Sequence, residues 1–273
     1  MDPVQEQYVA KLQLQLREAQ AQLTLYAKDL RRVWVREREK AQALHAATLQ
    51  LQAFAKDLRA SYEAEKRKSR ELEQAHYESL LRLTRAMRYK DDESAAHIER
   101  LSHYTKVIAL HLGLSNQEAD LIAAASPMHD VGKIGVPDVI LRKTGPLDGE
   151  EWKVMRNHAA LGASLLKGTP SPLLELAGQI ALTHHERWNG SGYPQGLQGE
   201  EIPLAGRIVM LADQYDALRS VRPYKVAFTH EQTCDIILNG DGRTLPEHFE
   251  PRLLDVFRDV HPALRTIYDQ LDD

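Results

Sequence analysis

The sequence predicts an all-α protein in which a long N-terminal coiled-coil helix precedes a helical bundle. The first 85 residues contain no glycine and only one proline, Pro3, and they are rich in Ala, Leu, Gln, Lys, Arg and Glu, which favour helix. Later segments show apolar faces of helical period separated by Gly and Pro, and no segment alternates as a strand does. We therefore divide the chain into a coiled-coil dimerisation helix, residues 1–85, and a helical domain, residues 86–273.

The first segment carries a seven-residue repeat. Its leucines are Leu16, Leu23, Leu30, Leu44, Leu51, Leu58 and Leu72, with Glu37 and Glu65 in the two gaps. Such a repeat is typical of a left-handed coiled coil, and at about 1.5 Å per residue the rod would be on the order of 120 Å long. A lone helix would leave this stripe in water, so we expect a parallel homodimer. A single exposed amphipathic helix is the alternative.

Composition and charge exclude several classes of protein. No run approaches the roughly 18 apolar residues of a membrane span, and the N-terminus lacks a signal-peptide pattern, so we expect a cytoplasmic protein without a membrane span. The single cysteine, Cys234, excludes an internal disulfide and cysteine-based zinc sites, so any metal is expected on His, Asp and Glu. Residues 89–273 carry 18 Lys and Arg against 27 Asp and Glu, which argues against binding of polymeric nucleic acid.

Side chains that bind metals recur on the predicted helices and mostly at their ends. In chain order they are Glu93 and His97 on a helix over 79–112, His129 and Asp130 closing a helix over 117–130, His158 after a helix over 150–157, His184 and His185 closing a helix over 172–185, and Asp213 within a helix over 202–218. Eight nitrogen and oxygen donors are too many for one ion and suit two or three divalent ions, with Asp130 as a bridge and Glu93 as a second candidate bridge. Paired ions favour phosphoester hydrolysis.

Taken singly, these pairs have more ordinary interpretations. Glu93 and His97, one helical turn apart, could form a surface ion pair, and His129-Asp130 could cap a helix. Two further helices are predicted over 229–239 and 251–271. The remaining histidines of the second part have no evident partner in this pattern, and we expect them to be surface or packing residues; they are His103, His111, His230, His248 and His261.

Longer motifs run from Glu93 to Phe257. They include Glu93-Ser-Ala-Ala-His97 with Arg100, His129-Asp-Val-Gly-Lys-Ile-Gly-Val-Pro-Asp138, His184-His-Glu-Arg-Trp188, Gly192-Tyr-Pro194, Asp213 with Asp216, Arg222-Pro-Tyr-Lys225 and His248-Phe-Glu-Pro251. On these motifs, well over half of the chain resembles the HD-GYP branch of the HD metal-dependent phosphohydrolases, which implies an HD-type helical bundle. Glu250, where the family usually has Asp, and Ser94-Ala95, where Thr-Gly is common, depart from the pattern at positions that are not ligands.

The resemblance implies hydrolysis of cyclic di-GMP to pGpG, often on to GMP, with a metal-bridging hydroxide as the nucleophile. The eight donors above would be the ligands of two or three iron or manganese ions, and Glu93 would bring the third. Lys133 matches a lysine that stabilises charge, or gives a proton, near the scissile phosphate. Arg222 and Lys225 match cations that bind the phosphates of the ligand.

The same resemblance suggests partners and leaves alternatives. The glycine-rich loop around Tyr193 would border the site and contact diguanylate-cyclase domains. Apart from the resemblance, we expect the rod either to receive a signal from an upstream sensor protein or only to dimerise. The substrate could instead be another cyclic dinucleotide, such as cyclic GMP-AMP. A non-catalytic receptor or scaffold is a further alternative, which the complete set of eight donors argues against.

Overall fold

The protein is described by a computed structural model that covers residues 3–87, 90, 95–168, 170–220 and 227–271. Its helices are α1 (Pro3–Met87), α2 (Ala95–His111), α3 (Asn116–Ala125), α4 (Asp138–Leu141), α5 (Gly149–Arg156), α6 (His158–Leu165), α7 (Pro172–Thr183), α8 (Leu204–Arg219), α9 (His230–Asn239) and α10 (Pro251–Gln270). No β-strand occurs in these ranges, which confirms the all-α prediction there. None of the described helices is long and apolar enough to cross a membrane.

The chain divides into two compact units, Met1–Gln74 and Ala75–Asp273. The first unit is the greater part of α1, and the predicted long helix is confirmed. Its repeat leucines are exposed, as Leu23 (68%), Leu30 (69%) and Leu51 (68%) illustrate. The coiled-coil pairing and the domain boundary at residue 85 stay predictions.

The second unit is a helical bundle with α2 near its centre. Helix α2 packs against α3, α8 and α10, and α7 packs against α3, α6 and α8. Three buried rings join the central helices, with centroids 5.4 Å apart for Tyr104 and Tyr215 and 5.9 Å apart for Tyr215 and Phe257. Burial of such rings is the largest single contribution that a side chain makes to a core. These rings join α2, α8 and α10, two of which carry predicted ligands.

Side-chain caps explain where several helices begin. Ser115 accepts a hydrogen bond from the backbone of Glu118 at the start of α3, and the Glu118 carboxylate accepts one in return. Asp148, the predicted N-cap, forms the same reciprocal pair with Glu151 at α5. Thr229 caps α9 in the same way. These local signals are why the predicted starts of α5 and α9 agree with the structure.

The segment before His129-Asp130 differs from the prediction. Helix α3 ends at Ala125, and a 3₁₀ turn, Ser126–Met128, follows it where an α-helix through Asp130 was expected. Pro127 is the physical reason, because it has no backbone N–H with which to continue the helical hydrogen bonds. His129 and Asp130 therefore lie in a turn, which a second 3₁₀ segment, Val131–Gly135, follows.

This turn packs closely against the start of α6. A Cβ atom on Gly132 would lie 1.9 Å from the carbonyl oxygen of His158 and 2.4 Å from the nitrogen of Gly162. Only glycine fits at such a separation. The contact brings the segment of Asp130 against the segment of His158.

Candidate metal centre

The bundle brings predicted ligands from five segments together at one place. His97 comes from α2, His129 and Asp130 from the turn after α3, His158 from the first position of α6, His184 and His185 from the end of α7, and Asp213 from α8. Glu93, Arg222 and Lys225 lie outside the described residues. The role of each residue as a ligand stays a prediction, but their convergence is a property of the fold.

The donors form two groups. Asp130, His158, His184 and His185 offer ligand atoms that all lie within 4.8 Å of one another. A second set with the same property is His97, His129 and Asp213. Each group has the nitrogen and oxygen donors that first-row divalent ions take.

Asp130 lies between the two groups. Its Oδ1 is 3.1 Å from Nε2 of His158 and 3.4 Å from Nε2 of His184. Its Oδ2 is 3.1 Å from Nε2 of His129, which belongs to the other group. One carboxylate therefore offers an oxygen to each group, which is the arrangement that a bridging ligand requires.

Backbone carbonyls orient three of the imidazoles. Nδ1 of His129 lies 3.0 Å from the oxygen of Ser126, and Nδ1 of His158 lies 2.7 Å from that of Met155. Nδ1 of His184 lies 3.0 Å from the oxygen of Ala181. A carbonyl can only accept, so each Nδ1 carries the proton and each Nε2 presents a lone pair to the centre.

Lone pairs that face each other across a buried space need a cation or a proton between them. Nε2 of His158 and Nε2 of His184 are 3.4 Å apart, and both side chains are buried. Oδ1 of Asp130 is buried beside them, and among the described residues none gives it a hydrogen bond of good geometry. Such atoms are costly to bury unless they bind something. The residues therefore fit a metal centre.

Burial and local charge set the protonation of these groups. Burial lowers the pKa of His184 and, together with the charge of His184, lowers that of His185 well below its usual value. Burial would raise the pKa of Asp130, but the charges of Lys133 and His129 outweigh it and hold that pKa well below its ordinary value. His184 and His185 are therefore biased toward the neutral imidazole and Asp130 toward the ionised carboxylate, the protonation states that bind metals.

Lys133 lies in the centre. Its Nζ is 2.7 Å from Oδ2 of Asp130, one helical turn earlier in the chain. This location fits the predicted role near a phosphate, because it puts a positive charge beside the carboxylate that would bridge the ions. The role itself stays a prediction.

The buried ion pair between Arg100 and Asp216 contacts His97 on the Nδ1 side of its ring. The sequence analysis gave this ion pair no role. Nδ1 of His97 lies 2.8 Å from Oδ2 of Asp216. The guanidinium of Arg100, which has no exposed area, donates to both oxygens of Asp216 at 2.7 and 2.9 Å. Arg100 also donates to the carbonyl of Leu271 after α10. The spacing of Asp216 three residues after Asp213, on one face of α8, was the available signal.

The loop after His185 borders the centre. The ring of Tyr193 stacks on that of His185 with centroids 4.6 Å apart, and the guanidinium of Arg156 lies 5.1 Å from the Tyr193 ring. Burial raises the pKa of Tyr193 above its ordinary value. Tyr193 thus covers one side of the ligand group, as the sequence predicted for this loop, and Arg156 adds a charge that was not predicted.

A buried carboxylate organises the same loop. Glu186 accepts hydrogen bonds from the backbone N–H groups of Gln195 (2.7 Å), Gly196 (3.2 Å) and Leu197 (3.1 Å). Glu250, the departure from the family pattern, forms an ion pair with Arg207 at 2.6 Å. Neither role was evident from sequence, since each partner lies beyond the local turn.

Three histidines that seemed to lack partners have them. His230 is buried, and its Nε2 is 3.0 Å from Nδ1 of His261. His248 accepts from the backbone N–H of Leu245, and its Nε2 is 3.3 Å from Nη1 of Arg187. These residues were expected to be surface or packing histidines, and their partners were not evident because segments distant in sequence supply most of them.

A family model identifies the second unit. The model described as HD domain matches residues 77–245, a range that contains every described residue of the metal centre. The chain belongs to the HD domain family. The predicted membership of the HD superfamily is thereby confirmed.

Curated relatives of this HD domain protein include two phosphodiesterases. The cyclic di-GMP phosphodiesterase response regulator RpfG of Xanthomonas campestris pv. campestris is 43% identical over 200 residues, which cover 73% of this chain and 52% of the relative. The 3'3'-cGAMP-specific phosphodiesterase 2 of Vibrio cholerae serotype O1 is 42% identical over 186 residues, which cover 68% of this chain and 35% of the relative. The chain thus spans about half or less of the length of these relatives.

A solved structure has the same fold. It is a cyclic GMP-AMP-specific phosphodiesterase of V. cholerae, V-cGAP3, with a TM-score of 0.52 and 19% identity, covering 72% of this chain and 51% of that chain. At this identity the likeness concerns the fold alone. It confirms the HD-type helical bundle.

Proposed function

We propose that this HD domain protein is a metal-dependent phosphodiesterase that hydrolyses cyclic di-GMP to pGpG, GMP or both. The observation that carries the proposal is Asp130, a largely buried carboxylate with one oxygen beside each of two groups of metal donors. The 43% identity to a relative named as a cyclic di-GMP phosphodiesterase supports the choice of substrate.

The proposed ligands of two ions are the two donor groups that share Asp130. One ion would take His158, His184 and His185, and the other His97, His129 and Asp213; Glu93 would contribute to a third. We propose iron or manganese, which accept this mixture of imidazole and carboxylate. Such ions, when bound, polarise the phosphate and supply hydroxide near neutral pH.

In this proposal the protein's own residues bind the substrate phosphates and balance their negative charge. Lys133, 2.7 Å from Asp130, offers its ammonium to the scissile phosphate or to the leaving oxygen. Arg222 would bind a phosphate by two parallel hydrogen bonds and Lys225 would add a point charge. Tyr193 would exclude water from the side of the centre where it stacks on His185. Arg156, which lies over the Tyr193 ring, is exposed to solvent.

A second substrate has an observation in its favour. A relative that is 42% identical is named as specific for 3'3'-cGAMP. The two cyclic dinucleotides carry the same two phosphates, so the same centre would serve either. The base contacts would decide between them.

Purified protein loaded separately with Fe²⁺ or Mn²⁺ tests the proposal. It is incubated with cyclic di-GMP or with 3'3'-cGAMP, and the products are separated by chromatography. We expect pGpG or GMP from cyclic di-GMP, a higher kcat/KM for it than for 3'3'-cGAMP, and no product after chelation of the metal.

Two other outcomes would each change the assignment. A higher kcat/KM for 3'3'-cGAMP would make that the substrate. Tight binding of cyclic di-GMP by the loaded protein without any turnover would make the protein a receptor. Elemental analysis of the same samples counts the ions, and Glu93→Ala should lower the count by one if Glu93 holds a third.

We also propose that α1 pairs with a second copy of the chain as a parallel coiled coil. The exposed leucine repeat supports this, because each leucine gains from burial against an equivalent residue. Light scattering of the full chain should give the mass of a dimer.

A further inference from the structure

A third group of metal donors lies outside the HD centre. His230 and Cys234 lie one turn apart on α9, and His261 lies on α10. Ligand atoms of these three residues lie within 4.8 Å of one another. The sequence had placed any metal on His, Asp and Glu alone, so a site that includes the cysteine was not expected.

We infer that His230, Cys234 and His261 form a second metal site, which takes a borderline-soft divalent ion of the zinc class and joins α9 to α10. Two imidazoles and one thiolate are donors that zinc prefers, and a His and a Cys four residues apart on a helix face the same side. Water would complete four-coordination, because Cys234 and His261 are partly exposed while His230 is buried.

The separations are close to those of a tetrahedral site. Bonds of about 2.05 Å to nitrogen and 2.3 Å to sulfur put two nitrogens about 3.3 Å apart and a nitrogen and a sulfur about 3.6 Å apart. Nε2 of His230 is 3.0 Å from Nδ1 of His261, and Sγ of Cys234 is 3.6 Å from the same Nε2. Sγ is also 4.0 Å from Nδ1 of His230, so it lies beside the ring. Binding therefore requires Cys234 to turn about its single side-chain torsion.

The orientation of His230 resembles that of the HD ligands. The hydroxyl of Tyr215, a buried residue of α8, lies 2.9 Å from Nδ1 of His230. This contact occupies Nδ1 and directs Nε2 toward His261 and Cys234. An outer partner of this kind commonly fixes the ring of a metal-binding histidine.

The charges around the group come from α8, α9 and α10 and are largely balanced. Arg219 is 3.2 Å from Asp269, and Arg265 is 3.1 Å from Glu231. Both cations thus have acidic partners, and Glu231 lies next to His230 in the chain. Burial raises the pKa of the Cys234 thiol to about 11, so without a metal this cysteine reacts slowly at neutral pH.

The single cysteine makes the proposal unusually easy to test. Metal-stripped, full-length protein is titrated with Co²⁺, and the near-ultraviolet charge-transfer band from thiolate to cobalt is recorded. The donors of the HD centre contain no sulfur, so such a band reports on Cys234 alone. We expect a saturable band in the native sequence that Zn²⁺ then displaces.

Variants separate the two centres. Cys234→Ser should lose the band, and His261→Gln should weaken cobalt binding measured by the same band. Asp130→Asn, which alters only the HD centre, should keep the band.

The opposite results overturn the inference. If saturating Co²⁺ gives no sulfur band while circular dichroism shows folded protein, the three residues are a hydrogen-bonded histidine pair beside a thiol. A band that persists in Cys234→Ser would show that the signal has another origin. Loss of the band in Asp130→Asn would likewise contradict a separate site.

Discussion

The long helix and the bundle differ in the exposure of their apolar side chains. Leu23 and Leu30 of the first unit are about two-thirds exposed, at 68% and 69%, whereas Leu101 and Ile108 of the second have no exposed area. Burial of apolar surface is the main favourable contribution to folding. The bundle therefore has its own source of stability within one chain, whereas the leucine repeat of α1 would gain this contribution only in the proposed pairing with a second copy. Mutations should be able to damage either unit without the other.

The largest expected effect is on the chemistry of the bundle. Asp130→Ala removes the carboxylate that the two described donor groups share, so turnover should fall to background and the metal content should drop. Activity assay and elemental analysis measure the two together. Asp120→Ala, which removes an exposed carboxylate paired with Lys106, is the matched control. Full activity of a metal-free Asp130→Ala protein would refute the proposed centre.

The next effect is on the stability of the bundle. Arg100→Ala leaves the Asp216 carboxylate buried without its main counter-charge, and we expect the free energy of unfolding to fall by about 3–5 kcal/mol. Urea denaturation measures it. Arg265→Ala breaks an exposed ion pair with Glu231 and should cost no more than about 1 kcal/mol. Equal losses in the two variants would mean that burial of the Arg100 pair is unimportant.

A smaller effect should be confined to the loop that borders the centre. Glu186→Gln keeps the shape but replaces a carboxylate that accepts from Gln195 and Leu197, so the free energy of unfolding should fall by about 1–3 kcal/mol. Turnover should fall as Tyr193 loses its fixed position over His185. Glu200→Gln, at an exposed position nearby, provides the comparison. If Glu186→Gln had the same rate of proteolysis in this loop and the same turnover as the native protein, the proposed role of Glu186 would be contradicted.

The smallest effect on the bundle should come from the rod. Lysine in place of Leu23, Leu30 and Leu51 together should convert a dimer into a monomer by light scattering. The bundle's own unfolding free energy should change by no more than about 0.5 kcal/mol, as for other surface substitutions. A large fall in bundle stability would show that the two units depend on each other.

Local signals explain what was predictable. The absence of glycine identified α1, and the cap residue Asp148 located the start of α5. The ligand set followed from the recurrence of His and Asp near helix ends together with the family resemblance. Seven of its eight members converge in the structure.

The contacts that the sequence did not predict are mostly between residues far apart in the chain. Arg100 and Asp216 are 116 positions apart, and His230 and His261 are 31 apart on different helices. No periodicity along a chain reports which of two such helices will be neighbours. Pro127 is a different case, since its missing N–H was visible in the sequence but the apolar pattern around it favoured a continuous helix.

The carbonyl contacts of the imidazoles have a consequence for how the centre gains and loses its ions. His129, His158 and His184 are each held by an oxygen three residues earlier in their own segment. Their rings are thus preorganised by local backbone, and little side-chain entropy is left to lose on binding. Chelation should empty the centre without unfolding it, and reloading should proceed at the rate of ion entry, without a refolding step.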